Sequence, residues 1–228
     1  RLLPRLHCLG WLLPVHPAIL PNSRIEGGLG GAWVSIREPQ ISGGVIEQLI
    51  ADPGNANHLI ALQDQTGGKQ TIVESWDAAT HWHALANLFQ FWFHSLAIDP
   101  VHTNVIYAGS DTGLYRTMNG GRNWVHVADF GPLISVPSGD AIYAIDVRPG
   151  ASDCVPGPAS FVSSADQGHT WETTPLRCGT YGEITSSRSD PELIYLRAID
   201  YASGNQMLAQ SRDAGHTWVY RQLTGPLF

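Results

Sequence analysis

The side chains best able to do chemistry in this chain are its 20 acids and 10 histidines, set against 13 lysines and arginines. Two carboxylates that face each other across a cleft can divide the acid and base roles of glycoside hydrolysis. His81 and His83 alternate as residues on one strand face do, a spacing at which two imidazoles can share a metal. Phe91 and Trp92, in the run "LFQFWFH", offer flat faces on which a sugar ring can stack. Tyr181, Glu183 and Arg188, in "RCGTYGEITSSR", add groups that can stack on and hydrogen-bond a sugar or a peptide. Each has a plainer reading: a loop tyrosine and a solvated glutamate, core or surface histidines, aromatics buried between layers of strands.

The plainer readings gain weight because most of the acids recur at fixed positions. "SADQGHTW" returns as "SRDAGHTW", with Ser164, Asp166, Gly168, Thr170 and Trp171 answered by Ser211, Asp213, Gly215, Thr217 and Trp218. "TMNGGRNW" keeps the pattern as Thr117, Asn119, Gly121 and Trp124, and "SWDAATHW" keeps Ser75, Asp77 and Trp82 with Ala79 in place of the glycine. The four tryptophans at 82, 124, 171 and 218 lie 42, 47 and 47 residues apart. A second signature precedes each box: Asp52-Pro53, Asp99-Pro100, Asp146 and Asp190-Pro191. Asp99 to Asn119 and Asp146 to Asp166 are both 20 residues, which places Asp146 at the end of an inner strand, "AIYAIDV". His169 and His216 occupy a variable place in the box, so histidine there needs no ligand role. Acids outside the repeat, such as Glu47, Asp64, Glu74, Asp129, Asp140, Glu172, Glu183, Glu192 and Asp200, single out no catalytic pair.

The elements that carry these residues read as strands. Apolar runs such as "VIYAGS", "LYRT" and "WVHVAD" are bounded by Gly, Pro, Asn and Asp, and no stretch keeps a helical period. Four short strands per unit of about 45 residues point to an all-β fold, a β-propeller of four-stranded blades. The box is then the hairpin between third and fourth strands. Its Asp accepts hydrogen bonds from the turn's own N–H groups, its Gly takes a left-handed conformation, and its Trp buries an indole.

Ser-x-Asp-x-Gly-x-Thr-Trp resembles the Asp-box, the bacterial neuraminidase repeat, over roughly residues 33 to 228. The run from Asp99 to Trp124 is similar to bacterial Asp-box propellers, a superfamily that includes sortilin-type receptors, photosystem II assembly factors and xyloglucan-degrading hydrolases. The resemblance implies six or seven blades. Four complete units and a partial one around Trp33 fall short of that, so part of a larger ring is expected. A sialidase of this superfamily would need an arginine triad, a Tyr–Glu nucleophile pair, an acid Asp and a Phe/Tyr-Arg-Ile-Pro motif. "SRIE" supplies only Arg24 and Ile25 of that motif, and Tyr181 and Glu183 are merely near each other in sequence.

A net charge of -7 without a basic stripe argues against a nucleic-acid surface. No run reaches the roughly 18 apolar residues of a membrane-spanning helix. Residues 1–32 read as an irregular N-terminal segment, either the remnant of a leader or a damaged blade, ahead of the propeller at 33–228. Cys8, Cys154 and Cys178 have no zinc spacing, and no metal or cofactor is implied. Strand direction brings Cys154 and Cys178 to the same end of a blade, where they can form a disulfide in an exported, extracellular or periplasmic protein. The expected function is a non-catalytic scaffold that binds a glycan, peptide or protein through loops opposite the boxes. The alternative is a glycoside hydrolase, sialidase-like or xyloglucanase-like, or a fragment of one.

Overall fold

The structure, a computed structural model, describes residues 44–65, 69–85, 92–147, 159–200 and 202–223. All of them lie in the compact unit Ile36–Phe228. They form four antiparallel sheets of four strands each, with no helix among the described residues. Blade 1 holds β1 (Gly44–Ala51), β2 (Leu59–Gln65), β3 (Lys69–Ser75) and β4 (His83–Ala84). Blade 2 holds β5 (Phe93–Ile98), β6 (Ile106–Ser110), β7 (Gly113–Thr117) and β8 (Val125–Ala128). Blade 3 holds β9 (Leu133–Ser135), β10 (Ile142–Val147), β11 (Ala159–Ser164) and β12 (Glu172–Pro175). Blade 4 holds β13 (Gly179–Ser186), β14 (Ile194–Asp200), β15 (Gln206–Ser211) and β16 (Val219–Gln222).

Within each blade the strands pair in sequence order. The first strands of successive blades touch one another, β1 to β5, β5 to β9 and β9 to β13, as the inner strands of a propeller do. Side-chain hydrogen bonds tie these inner strands together. Gln48 accepts from Leu96 N–H at 2.6 Å and donates to Leu96 C=O at 3.2 Å. The Ser95 hydroxyl donates to Pro132 C=O at 2.7 Å and accepts from Ile134 N–H at 3.1 Å. Ser135 and Ser186 hydroxyls meet at 2.6 Å. A buried side-chain donor or acceptor that caps a neighbouring backbone group in this way fixes spacing as well as energy.

The core lies between blades. Ile60, Leu62, Ile72 and Leu85 of blade 1 pack against Phe93, Leu96, Ile98 and Ile106 of blade 2. Tyr107 and Leu114 meet Ile134, Ile142 and Val162, and Ile145 and Phe161 meet Ile194, Leu196 and Met207. Of the central strands β6 is buried along its whole length, while β14 alternates buried and exposed positions, and the outer strands β8, β12 and β16 are largely exposed.

Each blade ends its third strand in a box. In all four, the fourth and fifth box residues take a left-handed backbone: Ala78 and Ala79, Gly120 and Gly121, Gln167 and Gly168, Ala214 and Gly215. The first residue's hydroxyl accepts from the fifth residue's N–H, at 2.8–3.0 Å in every box. Asp213 accepts from Thr217 N–H at 2.9 Å and from the Thr217 hydroxyl at 2.5 Å, and Asp166 does the same with Thr170 at 2.8 and 2.6 Å. Indole N–H groups of Trp124, Trp171 and Trp218 donate to the carbonyls of Gly121, Gly168 and Gly215. The Trp82 indole N–H, in the box with Ala79, has no such partner.

The box glycine also sets the fit between blades. A Cβ on Gly121 would stand 2.8 Å from Leu85, one on Gly168 2.9 Å from Val127, and one on Gly215 1.9 Å from Phe161, each in the preceding blade. The tryptophans point the same way, Trp218 lying edge-on to Phe161 with centroids 5.1 Å apart.

Blade 3 departs from the register expected of it. "AIYAIDV" is its second strand, β10, and the inner strand is the three-residue β9. The turn equivalent to 52–58 and 99–105 is therefore 136–141. Asp140 C=O accepts from Gln167 N–H there, as Asn57, Asn104 and Glu192 accept from Ala78, Gly120 and Ala214 in the other blades. Asp146 thus lies toward the end opposite the boxes.

Candidate functional site

Strand direction sorts the loops onto two faces. Among the described residues, the first-to-second-strand turns and the boxes share one face, and the second-to-third-strand hairpins and blade-to-blade connections share the other. On the face opposite the boxes, blades 2, 3 and 4 enclose a cleft of about 390 Å³. His94 enters from the start of β5, Asp111 from the β6–β7 hairpin, Asp129 and Phe130 from the β8–β9 connection, Asp146 from the end of β10 and Tyr181 from the start of β13. Five separate elements therefore deliver three carboxylates, an imidazole and two aromatic rings to one hollow.

Several of these groups are held in place. Asp111 and Trp92 exchange a pair of bonds, Asp111 N–H to Trp92 C=O at 3.0 Å and Trp92 N–H to Asp111 Oδ1 at 3.2 Å. The hairpin tip beside Asp111 is closed by the Ser110 hydroxyl, which donates to Gly113 C=O at 2.9 Å and accepts from Thr112 N–H at 3.2 Å. The His126 imidazole lies 3.4 Å from Asp129. Tyr181 is buried and donates to Arg177 C=O at 2.6 Å. Burial, reinforced by the nearby Tyr220 hydroxyl, pushes the Tyr181 phenol well above its ordinary range. That is the opposite of what a nucleophilic tyrosine requires. Glu183 is turned to the Arg197 guanidinium at 3.8 Å, both side chains being more than half exposed.

A second hollow of about 530 Å³ runs along the inner strands β1, β5 and β13 and the residues around β9. Gln48, Glu183 and Arg188 supply its long polar side chains. The residues singled out in the sequence thus divide between two places. Tyr181 lines the cleft and Trp92, half-exposed, adjoins it through Asp111. Glu183, on β13, and Arg188, in the β13–β14 turn, line the axial hollow, and Phe91 lies outside the described residues. "RCGTYGEITSSR" is largely strand, since Gly179–Ser186 is β13.

Asp111 escaped the sequence reading, and His94 and Phe130 were not singled out within the varied runs "LFQFWFH" and "FGPLISVPSGD" that hold them. Asp111 sits in "GSDTGL", which has the composition of any hairpin tip, and only the nearness of Trp92 to the same end of blade 2 could have marked it. His81 Nδ1 lies 2.6 Å from Asp77 in the first box, and His83 is exposed on β4. Cys178 is disulfide-bonded, and Cys154, its expected partner, lies outside the described residues.

No protein-family model and no curated protein matches the chain. Solved structures do. An ancestral GH74 enzyme superposes with a TM-score of 0.62 at 20% identity, over 81% of this chain and 25% of that one. TolB from Acinetobacter baumannii superposes with a TM-score of 0.55 at 14% identity, over 78% and 43% of the two chains. YCF48 from Cyanidioschyzon merolae gives 0.54 at 14% identity, over 82% and 59%. At these identities the likeness establishes the β-propeller fold. The chain spans about a quarter of the length of the GH74 enzyme it matches.

Proposed function

We propose that this chain is an Asp-box propeller module that binds a glycan or peptide ligand, without hydrolysing it, in the cleft opposite the boxes. The observation that carries the reading is the convergence of Asp111, Asp129, Asp146, His94, Phe130 and Tyr181 from five elements onto one hollow. Carboxylates and an imidazole beside aromatic rings suit a ligand that presents hydroxyl or ammonium donors on an apolar frame. The repeated box acids are committed to their own turns and are not free for chemistry.

The same three carboxylates favour a second reading, a glycoside hydrolase. No arginine or lysine is among the cleft's described lining, and Tyr181 is held protonated, which suits a sialidase-type site poorly. Screening the purified protein on glycan and peptide arrays, with aryl glycosides including sialosides in parallel, separates the two. Binding without turnover supports the module. Turnover abolished by Asp111→Asn, Asp129→Asn or Asp146→Asn would replace it with the hydrolase. The proposal extends to a larger ring of six or seven blades and to an extracellular or periplasmic setting, the latter supported by the disulfide at Cys178.

A further inference from the structure

A separate set of residues departs from the repeat on the box face, between blades 1 and 2. Trp76 is the second residue of the first box, and its counterparts are Met118, Ala165 and Arg212. All four are exposed, including those in boxes with a described blade on either side, so exposure is a property of the position. Trp76 nevertheless does not hang free. Its ring lies flat on His58, centroids 3.7 Å apart and planes within 5°, yet it remains 54% exposed. One indole face is covered and the other is offered to solvent.

The ring beneath it is immobilised. His58 is 2% exposed, its Nδ1 is 2.8 Å from Asp52 and its Nε2, without a hydrogen-bond partner, is 3.7 Å from Glu74. The corresponding residues of blades 2 and 4 are Val105 and Leu193, which close the same turn with the same backbone bond. The turn itself therefore needs no histidine. What the histidine adds is a rigid support for Trp76.

Beside the open indole face is a hollow of about 810 Å³, rimmed by Glu74, Asn104, Asn119 and Arg122. Asn104 donates through Nδ2 to Met118 C=O at 2.7 Å, which leaves its Oδ1 to accept. Asn119 Oδ1 takes the Thr117 hydroxyl and Asn123 N–H, which leaves its Nδ2 to donate. Asn119 stands where the other three boxes have Asp, so this donor exists only here. A rigid aromatic plate flanked by an acceptor carboxylate, an amide acceptor, an amide donor and a guanidinium matches a ring with one apolar face and a rim of hydroxyls, each of which both donates and accepts. A phosphate-bearing ligand would face the Glu74 carboxylate and a chain of net charge -7.

We infer that this hollow is a binding subsite for a neutral sugar ring, stacked on Trp76 and hydrogen-bonded by Glu74, Asn104, Asn119 and Arg122. It is distinct from the cleft on the opposite face. The test is a titration of isotope-labelled protein with neutral gluco-, manno- and galacto-configured trisaccharides. It follows the indole N–H resonance that is missing from Trp76→Phe. At least one sugar should shift that resonance saturably, and in calorimetric titrations of the same sugar Trp76→Ala should weaken binding about tenfold. Asn119→Asp, which restores the residue of the other boxes and so spares the turn, should weaken it severalfold. Val219→Ala, exposed on β16 and in the lining of neither site, should leave it unchanged. The inference is overturned if no sugar in the panel shifts the resonance, if Trp76→Ala and Asn119→Asp bind as the parent does, or if only a peptide or nucleoside shifts it.

Discussion

Gly215 and Gly120 both carry a left-handed backbone, but only one of them faces a wall. A methyl on Gly215 would meet Phe161 at 1.9 Å, whereas one on Gly120 would meet nothing within 4 Å. Other boxes place Ala78, Gln167 and Ala214 at the position of Gly120, which shows that the turn accepts a side chain there. Gly215→Ala should therefore cost at least about 2 kcal/mol, from strain and overpacking together, and Gly120→Ala about 1 kcal/mol or less, in urea denaturation. Equal costs would mean that the fifth box residue is a turn residue only, with no part in blade packing. The box acids make a second prediction. Thr217, through hydroxyl and N–H, and Ser211 hold the Asp213 carboxyl down at about 2, and the His81 N–H and ring do the same for Asp77. A carboxyl held lower when folded than when unfolded adds stability above about pH 4 that is lost as pH falls through the folded value. Denaturation midpoints should accordingly drop between about pH 4 and pH 2, and the drop should be smaller in Asp213→Asn. An identical profile in parent and variant would show that the turn does not depend on the ionised group.

At the scale of elements, the inner strands are joined by side chains as well as by packing. Removing Gln48 leaves both Leu96 N–H and Leu96 C=O without their partner, so Gln48→Ala should lower stability by about 1–3 kcal/mol with the blades otherwise intact. A midpoint within error of the parent would show that water replaces the amide at no cost. These links could not be read in advance, because a glutamine on a strand carries no mark of the partner it meets in the next blade. The blades themselves were legible, because each repeats a hairpin whose turn chemistry is written in side chains: Ser or Thr, Asp or Asn, then Trp. Blade 3 was legible only in part. Its inner strand is three residues, "LIS", closely followed by Pro137, too short for an apolar run to stand out, and Asp146 happens to sit 20 residues before Asp166. That coincidence moved the reading one strand along. It also hid the way in which Asp146 joins Asp111 and Asp129, which share no sequence pattern and meet only because three blades turn the same end toward one cleft. The disulfide belongs to this scale too. Cys178 follows β12 at the end opposite the boxes, the end at which β10 stops and β11 starts. Peptide mapping without reductant should recover Cys154 joined to Cys178, and recovery of Cys8 in its place would refute the pairing.

For the molecule as a whole, construction lies with the residues that repeat, and the proposed sites lie with residues that do not. Box acids, glycines and tryptophans close turns and seat one blade on the next. What differs between blades gathers at the ends, in the cleft of Asp111, Phe130 and Tyr181 on one face and in the hollow beside Trp76 on the other. Because the blades share one plan, changes at those ends need not disturb the core between them. The most direct test takes the best ligand found on the arrays and titrates it into the parent and into Asp111→Asn/Asp129→Asn by calorimetry, with turnover of the ligand followed in the same samples. Affinity should fall at least about tenfold in the variant, with its thermal midpoint close to the parent's and the ligand recovered unchanged. Undiminished affinity, or cleavage of the ligand that either substitution abolishes, would contradict a binding module whose site is the cleft opposite the boxes.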